Sequence, residues 1–135
     1  MVVKRNVWII SVLSGLVMAG CADVQAPTGA ELYRENCAGC HGATGDGTGR
    51  NGRALPIPPS NLRLLAHSNG GVFPAEQVMA TIYGYRGKDH NGLMPEFGPV
   101  LDSPDVIWTA PDGREVPTPA LLLALSDYLQ TIQDP

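Results

Sequence analysis

The clearest hydrophobic pattern in this chain lies near its end, where leucines recur at helical spacing. Thr118 is expected to cap a helix there and Pro119 to open it. One side of this helix is predicted to be apolar and the other polar, as is typical of a helix that packs on a core. The apolar side carries Leu121, Leu122, Leu125, Leu129 and Ile132, and the polar side carries Ser126, Asp127, Gln130 and Gln133.

Two further helices are predicted from their first turns. Thr28 and Glu31 fit a capping box, in which each residue satisfies a backbone N–H of the other, so a helix is expected over residues 28–36. Another is expected over residues 73–84, with Pro74 in its first turn.

Residues 106–116 predict a small β-hairpin, with two short strands around a Pro-Asp-Gly turn. The sequence leaves two roles open for Trp108 within it. The hairpin either docks a protein partner or forms a flap added to the core.

The first twenty residues are typical of a bacterial export signal. Lys4 and Arg5 form a short basic start, and residues 7–17 form an apolar run too short to span a bilayer comfortably. Small residues then precede Cys21. Residues 1–20 are therefore expected to be removed, leaving a tether over residues 21–27 and one domain over residues 28–135.

Cys21 is the predicted lipidation site. Residues 18–21, Met-Ala-Gly-Cys, resemble the lipobox of bacterial lipoproteins, although that pattern prefers Leu where Met18 stands. The resemblance implies an acylated N-terminal Cys21 and a membrane anchor outside the cytoplasm, on the periplasmic side. Ala22 favours the outer membrane by the lipoprotein sorting rule. The alternative is an ordinary signal cut nearby that leaves Cys21 as a free thiol.

Cys37, Cys40 and His41 have the spacing needed to attach a haem. Each thiol can form a thioether to one porphyrin vinyl position, and the adjacent imidazole then reaches the iron. A redox dithiol site fits the sequence less well, because such a site would follow a strand, and a helix is predicted to lead into Cys37. A structural zinc site would need one or two further ligands, and the only other histidines in the sequence are His67 and His90.

Met94 is the predicted second axial ligand of the iron. Pro95 follows it and keeps the methionine out of helical torsion angles, which suits a thioether that points at a metal. Met79 lies inside a predicted helix, where packing is the usual role. His90 is the main rival ligand, but it and His67 are expected to be solvated.

Two loops follow His41. The glycine-rich one contains Gly-x-Gly-x-x-Gly at Gly47, Gly49 and Gly52, but without a preceding strand it does not predict a dinucleotide site. It is expected to let backbone pass close to the porphyrin edge. The proline-rich loop, residues 55–62, is expected to supply a backbone carbonyl that accepts a hydrogen bond from the outer ring nitrogen of His41.

Together these motifs resemble class I cytochrome c over residues 28–132. They occur in that family's order: Gly29, Tyr33, Cys37-x-x-Cys40-His41-Gly42, the proline-rich loop ending in Leu62, Met94-Pro95-x-Phe97, and Leu125-x-x-Tyr128. The resemblance implies a mostly α cytochrome c fold, with helices packed around one covalently bound haem c and the possible hairpin at 106–116.

The resemblance also implies particular contacts. Gly29 and Tyr33 are expected to cross Leu125 and Tyr128 of the last helix, with glycine allowing close backbone approach. The carbonyl that orients His41 is expected at Pro58 or Pro59, although one extra residue separates these prolines from Leu62. Leu62, Leu93 and Phe97 are expected to keep water off the porphyrin.

An iron with both axial positions filled has no open site for a substrate. The expected function is single-electron transfer to and from redox protein partners, without catalysis of bond chemistry and without a small-molecule substrate. Two alternatives stay open. The chain is a permanent haem subunit of a membrane respiratory or dehydrogenase complex, or, if Met94 does not bind the iron, a haem sensor or peroxidase-like protein.

Charge narrows the range of partners. Without residues 1–20 the chain has seven basic and thirteen acidic residues, a formal net charge of −6, and Lys88 is its one lysine. Such a chain is poorly suited to nucleic acid or an anionic membrane surface. A redox partner is expected to present a neutral, apolar or basic face.

Overall fold

A computed structural model describes residues 25–85 and 93–135, so Cys21, Lys88 and His90 lie outside the described residues. Among those described, five α-helices and one two-stranded sheet confirm the mostly α fold with a small hairpin. The helices are α1 (Gly29–Asn36), α2 (Ala38–His41), α3 (Leu65–Ser68), α4 (Ala75–Tyr83) and α5 (Ala120–Thr131), and the strands are β1 (Asp105–Thr109) and β2 (Glu115–Pro119). Short 3-10 turns lie at Gly52–Ala54 and Leu62–Leu64.

The capping box predicted at the start of α1 is present. The Thr28 hydroxyl oxygen accepts the Glu31 N–H at 3.3 Å, and the Glu31 carboxylate accepts the Thr28 N–H at 2.8 Å. These bonds lower the pKa of Glu31. The helix ends at Asn36, so its last turn leads directly into Cys37.

α1 crosses α5 at Gly29, as the resemblance implied. A Cβ at Gly29 would lie 2.0 Å from the Ala124 carbonyl oxygen and 2.8 Å from the Tyr128 Cβ. The missing side chain therefore sets how closely the two helices approach. One turn further on, the rings of Tyr33 and Tyr128 pack with their centroids 5.3 Å apart.

The start of α5 differs from the prediction. Thr118 belongs to β2, and its hydroxyl donates to the Val116 carbonyl instead of capping the helix. The cap comes from Ser103, whose Oγ accepts the Leu121 N–H at 3.0 Å. The assignment to Thr118 was wrong because hairpin pairing takes that residue into a strand, while a serine distant in sequence reaches the helix end.

Ser103→Ala is expected to lower the free energy of unfolding by about 1 kcal/mol, the usual cost of removing a helix cap. Thr118→Val, in which the hydroxyl is lost at nearly constant shape, should cost less, because that hydroxyl satisfies no helix N–H. Denaturant unfolding of both variants measures the difference. If Thr118→Val lowers the free energy of unfolding more than Ser103→Ala does, Thr118 and not Ser103 is the helix cap.

The hairpin is longer than predicted. β1 and β2 pair antiparallel from Asp105 opposite Pro119 to Thr109 opposite Glu115. Trp108 is partly buried and packs against the core, which favours the flap over the docking role. At the tip, Arg114 forms an ion pair of 2.9 Å with Glu76 in the first turn of α4.

The core lies between α1, α4 and α5. Its most buried side chains include Tyr33, Leu101, Leu122 and Leu125, each about 1% exposed. Met79 also lies in this core, which confirms its packing role. Ser126 was predicted on the polar side of α5 but is buried, because the helix is covered on more than one side.

Candidate haem-binding site

One cavity brings together the predicted haem ligands and the proline and apolar residues expected around them. Its volume is about 370 Å³ and its lining is mainly apolar. Six segments contribute to it: the α1–α2 junction, the proline-rich loop, α3, α4, the segment around Met94, and α5. The predicted residues that line it are Cys37, Cys40, His41, Pro58, Pro59, Leu62, Leu93, Met94 and Phe97.

Local helical geometry places the two thiols and the imidazole together. The Cys37 N–H donates to the Tyr33 carbonyl at 2.9 Å, and the His41 N–H donates to the Cys37 carbonyl at 2.9 Å. These bonds carry the helical path from α1 through α2. Cys37, Cys40 and His41 thus lie within about one turn of each other and reach the same cavity.

Burial raises the pKa of the Cys37 thiol to about 11. A thiol with this pKa is protonated at neutral pH, whereas the reactive cysteine of a dithiol oxidoreductase has a lowered pKa. The segment also follows a helix rather than a strand. Both observations disfavour the dithiol alternative.

A zinc site also finds no support. Within residues 25–85 and 93–135, no group of three or more His, Cys, Asp or Glu side chains could hold a metal ion. His67 is exposed, as predicted, although it lies in the short helix α3 rather than in a loop. It does not line the cavity.

The glycine-rich loop packs differently from the prediction. It folds back on the backbone of the attachment segment, with the Gly49 N–H donating to the Cys40 carbonyl at 3.1 Å. A Cβ at Gly49 or Gly52 would lie 2.5 Å from the Cys40 carbonyl oxygen. Neither glycine lines the cavity. The close approach that these glycines permit is therefore to protein backbone and not to the porphyrin edge.

The carbonyl that meets His41 belongs to Ser60. His41 Nδ1 lies 3.0 Å from the Ser60 oxygen, so the expectation of Pro58 or Pro59 was wrong for this contact. The Pro59 carbonyl instead points at Gly47, where a Cβ would lie 2.7 Å from its oxygen. Because successive carbonyls of an extended segment alternate in direction, the next one faces the imidazole.

Tyr33 supports the attachment segment from behind. Its hydroxyl donates to the carbonyl of Gly42 at 2.6 Å, in a buried position. Burial is the main reason why its pKa is raised to about 12, so the phenol stays protonated and remains a donor. The residue after His41 is thereby fixed to the first helix.

The Met94 segment is held by the end of α4. The Phe97 N–H donates to the Ile82 carbonyl at 2.9 Å, and the Gly98 N–H donates to the Tyr83 carbonyl at 3.2 Å. A side chain at Gly98 would collide with that Tyr83 oxygen, since its Cβ would lie 2.8 Å away. These bonds bring the Met94 segment to the same cavity as His41.

The residues fit a haem c. Two thiols at attachment spacing and an imidazole with a fixed tautomer line the cavity, and a thioether lines it too. The remaining lining is largely aliphatic or aromatic and includes Leu55, Val78, Ile82 and Leu129. A porphyrin needs an apolar enclosure of this kind with few polar groups.

A family model described as "Cytochrome C oxidase, cbb3-type, subunit III" matches residues 24–110, which is more than half of the chain. The chain belongs to this family. The match supports the class I c-type cytochrome recognised from the motifs. No curated protein and no solved structure matches the cytochrome significantly.

Family membership makes haem-based electron transfer the general activity of this cytochrome. Cytochrome c domains are typically exported to the periplasmic side. None of its described helices has the length and apolar character needed to cross a bilayer.

Several lining residues were missed by sequence reasoning. Leu55 lines the cavity from an irregular segment and Leu65 from the four-residue helix α3, and neither lies in a periodic pattern. Leu129 was assigned to the apolar face of α5, but that pattern could not distinguish a core contact from a cavity contact. The sequence could have pointed to Ser60 as the partner of His41 only if the extra residue after Pro59 had been assigned to the position whose carbonyl meets the imidazole.

Proposed function

We propose that this cytochrome is a single-electron carrier with one covalently attached haem c. In this proposal Cys37 and Cys40 form the thioethers, and His41 and Met94 are the axial ligands. The observation that carries it is the convergence of these four side chains on one apolar cavity. When bound, haem c supplies a reversible one-electron couple between ferric and ferrous iron.

Ser60 has a defined role in this proposal. A carbonyl oxygen can only accept a hydrogen bond, so at 3.0 Å it selects the His41 tautomer that carries its proton on Nδ1. The other ring nitrogen, Nε2, then keeps its lone pair for a metal. The same bond fixes the orientation of the ring.

The apolar lining has a separate role. Leu62, Leu93 and Phe97 exclude water from the cavity, and a dry cavity disfavours the extra charge of the ferric state. A histidine nitrogen and a methionine sulfur together favour a high potential. With both positions filled, no coordination site is left for a small-molecule substrate, so the carrier is not itself an enzyme.

The test is the absorbance spectrum of the purified haem protein. The oxidised protein should show the far-red sulfur-to-iron band, and the ferrous protein should bind carbon monoxide only slowly at neutral pH. A missing band together with rapid carbon monoxide binding would favour a haem sensor or peroxidase-like function.

A second candidate is a haem subunit of a membrane respiratory complex. The description of the matching family, a subunit of a cytochrome oxidase, favours it. Purification from native membranes in mild detergent distinguishes the two candidates. A carrier should separate from other chains at moderate salt, whereas a subunit should retain its partners in fixed stoichiometry.

The proposal places the domain, residues 28–135, on a lipid anchor outside the cytoplasm, with residues 21–27 as tether. Support comes from the signal-like residues 1–20 and the lipobox-like pattern ending at Cys21. Ala22 after the cysteine favours the outer membrane, and redox protein partners would then meet the domain in the periplasm.

Cys21→Ser is expected to release a folded, haem-loaded protein into the soluble periplasmic fraction. The substitution removes the acylated side chain and leaves the domain unchanged. Fractionation followed by haem staining measures the release, with Ser14→Ala in the apolar signal run as the control that should stay in the membrane. If the Cys21 variant also stays with the membrane, lipidation is not the anchor.

A further inference from the structure

Two residues that follow α5, Gln133 and Asp134, lie against the backbone of residues 62–66. The Gln133 side-chain nitrogen donates to the Leu62 carbonyl at 2.8 Å and to the Leu129 carbonyl at 2.7 Å. Its side-chain oxygen accepts the Ala66 N–H at 2.9 Å. All three polar groups of one amide are thus used within the protein.

Only an amide fits this position. Exchanging its oxygen and nitrogen would aim the oxygen at two carbonyl oxygens and the NH₂ group at a backbone N–H, so the hydrogen-bond partners fix the orientation. Neither a carboxylate nor an ammonium group offers both the donors and the acceptor that Leu62, Leu129 and Ala66 require. Gln133 was predicted to lie on the polar face of α5, where its surroundings are usually solvent.

Asp134 adds two further contacts between the end of the chain and the segment of residues 62–66. Its backbone N–H donates to the Arg63 carbonyl at 2.9 Å, and its carboxylate forms an ion pair with the Arg63 guanidinium. Both side chains are about one third exposed, so the ion pair adds little. The specific connection is therefore the partly buried amide of Gln133.

This connection spans the wall of the cavity. Leu62 and Leu129 both line the cavity, and Gln133 joins their backbones from behind. Ser60, whose carbonyl meets His41, lies two residues before Leu62 on the same segment. The position of that carbonyl therefore depends on what holds residues 62–66.

We propose that Gln133 is a positioning residue for electron transfer, which raises the haem potential by holding Leu62 against the cavity, where its side chain excludes water. The inference rests on the proposed function and extends it to the segment after α5. If Gln133 is lost, the Ser60 carbonyl moves relative to His41 and water enters beside Leu62. The entry of water weakens the preference for the ferrous state. A weaker bond to His41 acts in the opposite direction, because an imidazole that shares its proton with a carbonyl donates more strongly to ferric iron, and the effect of water is expected to be the larger one.

The test is a redox titration of haem-loaded Gln133→Leu, read by absorbance and paired with denaturant unfolding. At a fixed ambient potential the ferric-to-ferrous ratio is expected to rise about tenfold, which corresponds to about 59 mV for a one-electron couple. Gln130→Leu is the matched control, since the same amide is lost from an exposed position one turn earlier on α5. Its potential should equal that of the wild type.

A local measurement accompanies the titration. Hydrogen exchange of the Ala66 amide should accelerate in Gln133→Leu and not in Gln130→Leu, because Gln133 is the acceptor of that N–H. Should Gln133→Leu fail to fold, Gln133→Asn tests the proposal instead. This variant keeps a neutral amide, but its side chain is too short to reach all three partners. It is expected to lower the potential by less.

An unchanged potential with a lowered unfolding free energy would make Gln133 merely structural and overturn the inference. An equal fall in Gln130→Leu would also overturn it. The proposed function fails independently, if the wild type lacks the sulfur-to-iron band. If the wild type lacks that band and the potential still falls in Gln133→Leu but not in Gln130→Leu, Met94 is not the ligand and the positioning role of Gln133 stands.

Discussion

Met94→Ala is expected to leave the haem attached while opening the second axial position. The far-red band should disappear, carbon monoxide should bind the ferrous form rapidly, and the potential should fall. These changes follow because, among the described residues that line the cavity, the Met94 thioether is the one sulfur ligand besides the two cysteines. Loss of the side chain from a partly buried site should also lower the free energy of unfolding by about 2 kcal/mol.

Met79→Leu is the matched control for this experiment. Met79 is 5% exposed and lies in the core beside α5, so its replacement tests the loss of a buried methionine without loss of the proposed ligand. Its spectrum should equal that of the wild type. If Met94→Ala also leaves the spectrum unchanged, another residue is the ligand, and His90 is then the first to examine.

Gly29→Ala is expected to have the largest effect on stability. The new Cβ would lie 2.0 Å from the Ala124 carbonyl oxygen, which belongs to the backbone of α5 and cannot rotate away. The two helices must separate, and we expect a loss of about 3 kcal/mol. That loss exceeds the gain that alanine brings to a helix, which is about 1 kcal/mol in a helix interior and is expected to be smaller at Gly29, the first residue of α1.

Denaturant unfolding measures the loss, and the haem content of the purified protein reports whether the fold still loads its cofactor. Ala30→Ser is the control, since this neighbour on α1 is exposed and should change stability by less than about 0.5 kcal/mol. A Gly29→Ala protein as stable as the wild type would mean that the helices tolerate a wider separation at their crossing.

The parts of the fold that the sequence predicted well depend on neighbours along the chain. The capping box of Thr28 and Glu31 and the helical turn that groups Cys37 with His41 are local, so residue spacing was sufficient to find them. The Gly29 crossing was available only through resemblance to a family. Its physical cause is the approach of α5, which no local pattern encodes.

The parts that the sequence did not predict depend on residues far apart in the chain. Ser103 caps α5 from a separate segment, and Ser60 rather than a proline meets His41 because one extra residue shifts which carbonyl faces the imidazole. The glycine-rich loop was expected at the porphyrin, but its backbone bonds go to the attachment segment. In each case a tertiary contact, with no local signature, determines the partner.

The central claim is an iron held between His41 and Met94, and a redox titration of the wild-type protein followed by absorbance tests it most directly. We predict one reversible one-electron transition of a single haem, with the sulfur-to-iron band present in the oxidised form and lost on reduction. A titration in which the oxidised protein never shows that band, or in which a second haem titrates, would contradict the account.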